Sequence, residues 1–165
     1  MRTFPHKKGI AVFGGGCFWC GEAVFVRLRG VEKVTSGYAG GAEVIRTEYN
    51  SNIITFEQLL SVFFSTHDPT TLNRQGNDVG KEYRSAIFYA TPQQKQAAEK
   101  FIQKLQEEEV YENPIVTELV PLSNFYEAES YHQQFYEKNQ NAPYCQLVVN
   151  PKLEKLQKQY SHLLK

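Results

Sequence analysis

Cys17 and Cys20 stand three residues apart in Gly14-Gly15-Gly16-Cys17-Phe18-Trp19-Cys20-Gly21-Glu22, a run that also holds the one tryptophan of the chain. Such a pair can be a disulfide staple, half of a metal site, or a reactive thiol in a shaped pocket. The chain has three cysteines, and its start, Met1-Arg2-Thr3-Phe4-Pro5-His6, lacks the layout of a signal peptide. A secreted disulfide framework is therefore not expected. Zinc needs four ligands, ordinarily from two close pairs. Cys145 has no neighbouring Cys or His and His132 is remote in sequence, so no metal is expected. A redox-active thiol remains.

The positioning elements follow from the pattern around it. The apolar run of residues 10–13 predicts a short buried strand, three glycines predict a turn, and residues 17–28 predict a helix. Cys17 then falls in the first helical turn. Free backbone N–H groups and the positive end of the helix dipole favour a thiolate there, and the glycines leave room at the sulfur. An isolated cysteine is more often a small buried side chain; the glycine turn and the adjoining aromatics favour a nucleophile. Cys20 shares a helix face with Cys17. Cys145, within Pro143-Tyr144-Cys145-Gln146, reads as a thiol on a mobile loop able to reach a second thiol.

Further along, residues 31–38 and 42–49 read as strands joined by a hairpin through Ala39-Gly40-Gly41. Thr55 caps a helix that ends by Pro69. Residues 73–80 read as a polar loop and 85–89 as a strand. Thr91 and Pro92 open a long polar helix to about residue 109. Residues 115–120 read as a strand broken by Pro121. Residues 125–136 read as partly helical, and Pro151 opens a C-terminal helix. Strands and helices alternate without repeats or linkers, so residues 1–165 read as one domain of mixed α and β class.

Lys plus Arg and Asp plus Glu are 18 each, which gives zero formal net charge. Nothing in that balance points to nucleic acid or an anionic membrane. The apolar run at residues 10–13 is far too short to span a bilayer. A cytoplasmic monomer is the expectation.

Gly16-Cys17-Phe18-Trp19 with Glu22 resembles the signature of the type A peptide-methionine (S)-S-oxide reductase family. Gly37-Tyr38-Ala39-Gly40-Gly41, His67-Asp68-Pro69-Thr70, residues 73–80, Tyr83-Arg84-Ser85-Ala86-Ile87, Tyr131-His132-Gln133 and Tyr144-Cys145 resemble further family motifs, in the family's order. The resemblance implies an α+β fold: a two-layer α/β sandwich, or ferredoxin-like roll, around a mixed β-sheet with an irregular C-terminal segment. It implies that Cys17 attacks the sulfur of an oxidised methionine, free or in proteins. Glu43 matches the family's acid and needs a raised pKa to donate a proton. Tyr83 matches a tyrosine that hydrogen-bonds the sulfoxide oxygen, and Asp78 an aspartate of the same cluster. Phe18 and Trp19 match the residues that hold the S-methyl group. Cys17 is left as a sulfenic acid, which a second thiol converts to a disulfide that thioredoxin or dithiothreitol reduces. No organic cofactor is implied. His132 is expected to hold a structural hydrogen bond.

Two departures stand out. Cys20 occupies a position that is glycine in most of the family, so both Cys20 and Cys145, the family's more usual choice, are candidate resolving thiols. Gly41 also runs directly into Ala42-Glu43, where the family carries a longer connection with a second sulfoxide-binding tyrosine. A more open site that relies on Glu43 and Tyr83 is expected. Two other readings share these residues: a thiol–disulfide oxidoreductase built on Cys17 and Cys20, and an inactive binder of oxidised methionine.

Overall fold

The computed structural model describes residues 7–165; the polar start read above as lacking a signal peptide lies outside them. Among the described residues no helix is long and apolar enough to cross a membrane. The order is β1 (Lys8–Gly15), α1 (Phe18–Phe25), β2 (Val31–Ala39), β3 (Ala42–Asn50), α2 (Phe56–Ser65), β4 (Arg74–Gln75), β5 (Asp78–Val79), β6 (Ser85–Tyr89), α3 (Pro92–Glu107), β7 (Glu118–Pro121), β8 (Tyr126–Glu127), α4 (Phe135–Lys138) and α5 (Asn150–Tyr160). The main sheet runs β7-β6-β1-β3-β2-β8. Its pairs are antiparallel except β6–β7, which α3 connects in parallel. The class is α+β, a mixed sheet with helices.

The continuous apolar run in β1 is explained by cover on both faces. Ala11 and Phe13 join the large core with Phe25, Leu59, Phe63 and Ala98 of the helices. Val12 points the other way, into a smaller cluster with Val44, Phe88 and the flanking Leu122 and Phe125. Phe13 stacks on Phe63 with ring centroids 4.8 Å apart. The helix starts follow the expected caps. Thr55 and Gln58 form a reciprocal capping box at α2. Thr91 accepts the Gln94 N–H ahead of Pro92 at α3.

The short connection after β2 closes as a two-residue hairpin. Ala39 pairs with Ala42, and Gly40 and Gly41 take φ of 55° and 77°. Two successive positive φ values define the turn that matches strand twist, and glycine adopts them without strain. Arg84 locks it: the guanidinium donates to Gly40 O at 2.7 Å, to Lys81 O at 2.9 Å and to Glu118 at 3.0 Å.

Three segments differ from the sequence expectation. Residues 73–80 contain the small β4–β5 hairpin around Gly76 (φ 56°). The strand expected at 115–120 forms only at Glu118–Pro121; Pro121 is tolerated because β7 is an edge. Residues 125–136 are partly helical, as expected: the extended β8 is followed by a 3₁₀ turn at Ser130–His132 and the start of α4 at Phe135. The Gln133 side chain holds this segment in place: its Oε1 accepts from Ser36 N at 3.0 Å, and its Nε2 donates to Ser36 O and Ala128 O. Cys145 is not on a mobile loop. It opens a π-helical turn, Cys145–Val149, that runs into α5, and it is 0% exposed.

Candidate active site

The strand–turn–helix unit places Cys17 as the N-cap of α1, with φ −59° and ψ 129°. Gly16 makes the turn at φ 97°, and a Cβ there would meet the Gln75 side chain at 2.7 Å. Cys17, Phe18, Cys20, Glu43, His67 and Lys152 share the lining of one pocket, with about 370 Å³ of unfilled space including its mouth. Phe13, Val24, Phe25 and Phe63 supply the apolar wall. Trp19, Asp78 and Tyr83 lie outside that pocket, half-buried around Cys17.

Glu43 begins β3 directly after the hairpin, opposite Tyr38 of β2. Its Oε1 accepts the Phe18 backbone N–H at 3.2 Å. Burial raises the Glu43 carboxyl above the ordinary range; the Phe18 N–H opposes this, and the Asp78 and Glu82 charges add to it. A carboxyl so placed stays protonated to higher pH than a surface one. Tyr83 ends the 3₁₀ turn Lys81–Tyr83 that Arg84 braces. Burial, then the charges of Glu43 and Asp78, push its phenol up, so it remains a hydrogen-bond donor.

The expected thiolate bias at Cys17 is outweighed. The Trp19 backbone N–H does favour the anion, yet burial dominates and raises the thiol well above its ordinary value, with Cys20 and Glu43 adding to the rise. A helix end acts within one turn, whereas desolvation acts on the whole charge. The resting nucleophile is a thiol.

The aromatic wall is fixed by stacking. Trp19 lies parallel to Phe135, with centroids 3.6 Å apart and planes 6° apart. Its Nε1 donates to His132 Nδ1 at 3.1 Å, the structural hydrogen bond expected of this histidine. Phe18 is 3% exposed and packs against His132 and Tyr38. Buried Glu22 helps to hold the segment that carries Phe135: its carboxylate accepts backbone N–H groups of Gln134 and Phe135 and the Ser36 hydroxyl.

Tyr144 is the site residue that the sequence reading passed over. Its hydroxyl donates to Asp78 Oδ2 at 2.8 Å and lies 3.6 Å from Cys20 Sγ, with the Trp19 ring edge-on at 5.5 Å. Adjacency to Cys145 was the available signal. Cys145 packs with Cys20, Ala23, Tyr136 and Val149. All three cysteines are free, and burial followed by the nearness of Cys20 raises the Cys145 thiol.

The comparisons with known proteins agree with this geometry. The family model described as peptide methionine sulfoxide reductase matches residues 9–43 and 41–164, two stretches that overlap at Gly41–Glu43. The peptide methionine sulfoxide reductase MsrA of Acinetobacter baumannii (strain AYE) is 53% identical over 172 residues, covering 94% of this chain and 98% of that protein. The alignment is longer than this chain of 165 residues, so some of its positions have no residue here. Mxr1 of Saccharomyces cerevisiae in its reduced form superposes with a TM-score of 0.77 at 31% identity, covering 87% of this chain and 92% of that one. Mxr1 in complex with Trx2 gives 0.58 at 28% identity, covering 82% and 89%. With Cys17, Phe18 and Glu43 in one pocket and these relatives along most of its length, the chain belongs to the peptide methionine sulfoxide reductase family.

Proposed function

We propose that this protein reduces methionine-S-sulfoxide, free or within proteins, to methionine. The observation that carries this reading is the position of Glu43, a buried carboxyl bound to the amide next to Cys17. The Cys17 sulfur attacks the sulfoxide sulfur while Glu43 protonates the oxygen, with Tyr83 hydrogen-bonded to it. The Cys17 proton then replaces the one Glu43 gave. The oxygen passes to Cys17, so a thiol and a sulfoxide become a sulfenic acid and a thioether. Phe18 and Trp19 hold the S-methyl group, and Asp78 orients the polar side of the site.

Cys20 is the first resolving thiol in this reading. It lines the same pocket as Cys17, and its backbone N–H donates to Cys17 O at 3.1 Å. Residues one helical turn apart have Cβ atoms about 5–6 Å apart, and a disulfide needs about 4 Å, so the first turn must tighten. Cys145, packed on Cys20, then exchanges with the new disulfide and frees Cys17. Thioredoxin is the reductant, by analogy with the Mxr1–Trx2 complex. No organic cofactor or metal enters these steps.

The family model and the relatives that cover most of the chain are peptide methionine sulfoxide reductases, not general thiol–disulfide oxidoreductases. The sulfoxide reading is therefore preferred. The finer fold assignment is a two-layer, ferredoxin-like roll formed by residues 1–165 as one domain. A cytoplasmic monomer without nucleic-acid or membrane partners completes the proposal. The test is dimedone trapping in a Cys20→Ser/Cys145→Ser variant. One equivalent of sulfoxide peptide should yield one methionine and one adduct at Cys17; methionine release without any adduct overturns the mechanism.

A further inference from the structure

We propose that Lys152 is a positioning residue for the second chemical step, its ammonium stabilising the negative charge that develops on Cys20 sulfur as it attacks the Cys17 sulfenic acid. The inference rests on the reading of Cys20 as the first resolving thiol. Lys152 comes from the first turn of α5, and Cys20 from the first turn of α1; both line the pocket that Cys17 shares. Lys152 is the one cationic side chain in that lining, because burial keeps His67 neutral. Among the described residues no carboxylate forms an ion pair with it.

The groups around Cys20 divide by sign. Burial, together with Asp78 of β5 and Glu43 of β3, disfavours its thiolate. The Lys152 charge is the strongest influence in its favour, whereas the Tyr144 proton is given to Asp78. Cys17 and Cys145 are the neighbouring thiols. Lys152 is not among the chief influences on Cys17. Both thiols are raised by burial, and Lys152 is the pocket charge that opposes this at Cys20.

The step is balanced without an added reagent. The Cys20 sulfur gives an electron pair to the Cys17 sulfur, and the S–S bond forms as the S–O bond breaks. The departing hydroxide takes up the proton that Cys20 released and leaves as water. Attack requires the thiolate form, so a charge that enlarges its fraction speeds this step and leaves the sulfoxide step alone.

Single-turnover kinetics without reductant separate the two steps, with methionine release and disulfide formation followed on the same sample. Lys152→Met should slow disulfide formation about tenfold relative to methionine release and move its pH midpoint up by about one unit. Lys152→Arg should restore both. Equal effects of Lys152→Met on the two steps, with Cys20→Ser still abolishing the disulfide, would overturn the role of Lys152 and leave Cys20 as the resolving thiol. A Cys20→Ser variant that forms its disulfide at the wild-type rate overturns the Cys20 reading and this proposal with it.

Discussion

Glu43 Oε1 takes the backbone N–H of Phe18, the residue next to Cys17, at 3.2 Å. The hairpin that begins β3 and the glycine turn that begins α1 therefore meet at one hydrogen bond. It ties the acid's position to that of Cys17. Burial raises the carboxyl's pKa against this donor, and in the proposed mechanism only the protonated form can give a proton to the sulfoxide oxygen.

The pH dependence follows from that sign. A carboxyl with a raised pKa is an acid below that value and is spent above it. The rate of methionine release should fall as pH rises through the elevated Glu43 value. Glu43→Gln should lower kcat/KM by about 10²–10⁴-fold and flatten that limb of the profile. A pH–rate series on both proteins checks it; an unchanged limb in the variant assigns the ionisation elsewhere.

The thiols should separate by stage. Cys17→Ser should release no methionine. Cys20→Ser should release one methionine per chain and then stall at the sulfenic acid. Cys145→Ser should still form the first disulfide but recycle slowly with thioredoxin. Counting methionine per chain, with and without thioredoxin, distinguishes the three.

His67 makes stability depend on pH independently of catalysis. Its Nδ1–H donates to Phe63 O, its Nε2 accepts from the Ser85 hydroxyl, and Ser85 accepts from Thr117. This chain uses the neutral ring, and burial lowers the His67 pKa to about 4. The unfolded chain takes up the proton near pH 6.5. The contribution is thus complete above about pH 6.5 and is lost as pH falls toward 4, about 3 kcal/mol over the window. Urea unfolding between these limits should show the fall, and a His67→Gln variant should lack that part of it. An NMR titration that finds His67 protonated near pH 6.5 contradicts this.

Much of the site was legible because local pattern and motif coincide. The turn before Cys17, the Thr55 and Thr91 caps and the Gly40-Gly41 hairpin depend on residues within a few positions of each other. What the sequence concealed is long-range. The rise in the Cys17 pKa comes from packing by distant segments, which outweighs the local helix end. Tyr144 meets Asp78 across 66 residues, and Arg84 reaches Gly40 across 44. Cys145 looked mobile because its flanks carry loop residues, yet the π turn buries it on Cys20. The Gln133 side chain fixes its segment to Ser36 across 97 residues.

The most direct test of a Cys17-centred methionine-S-sulfoxide reductase uses separated epimers of one oxidised methionine peptide with dithiothreitol as reductant. The expected result is conversion of the S epimer to methionine with the R epimer left intact. Reduction of the R epimer alone, or of neither, contradicts it.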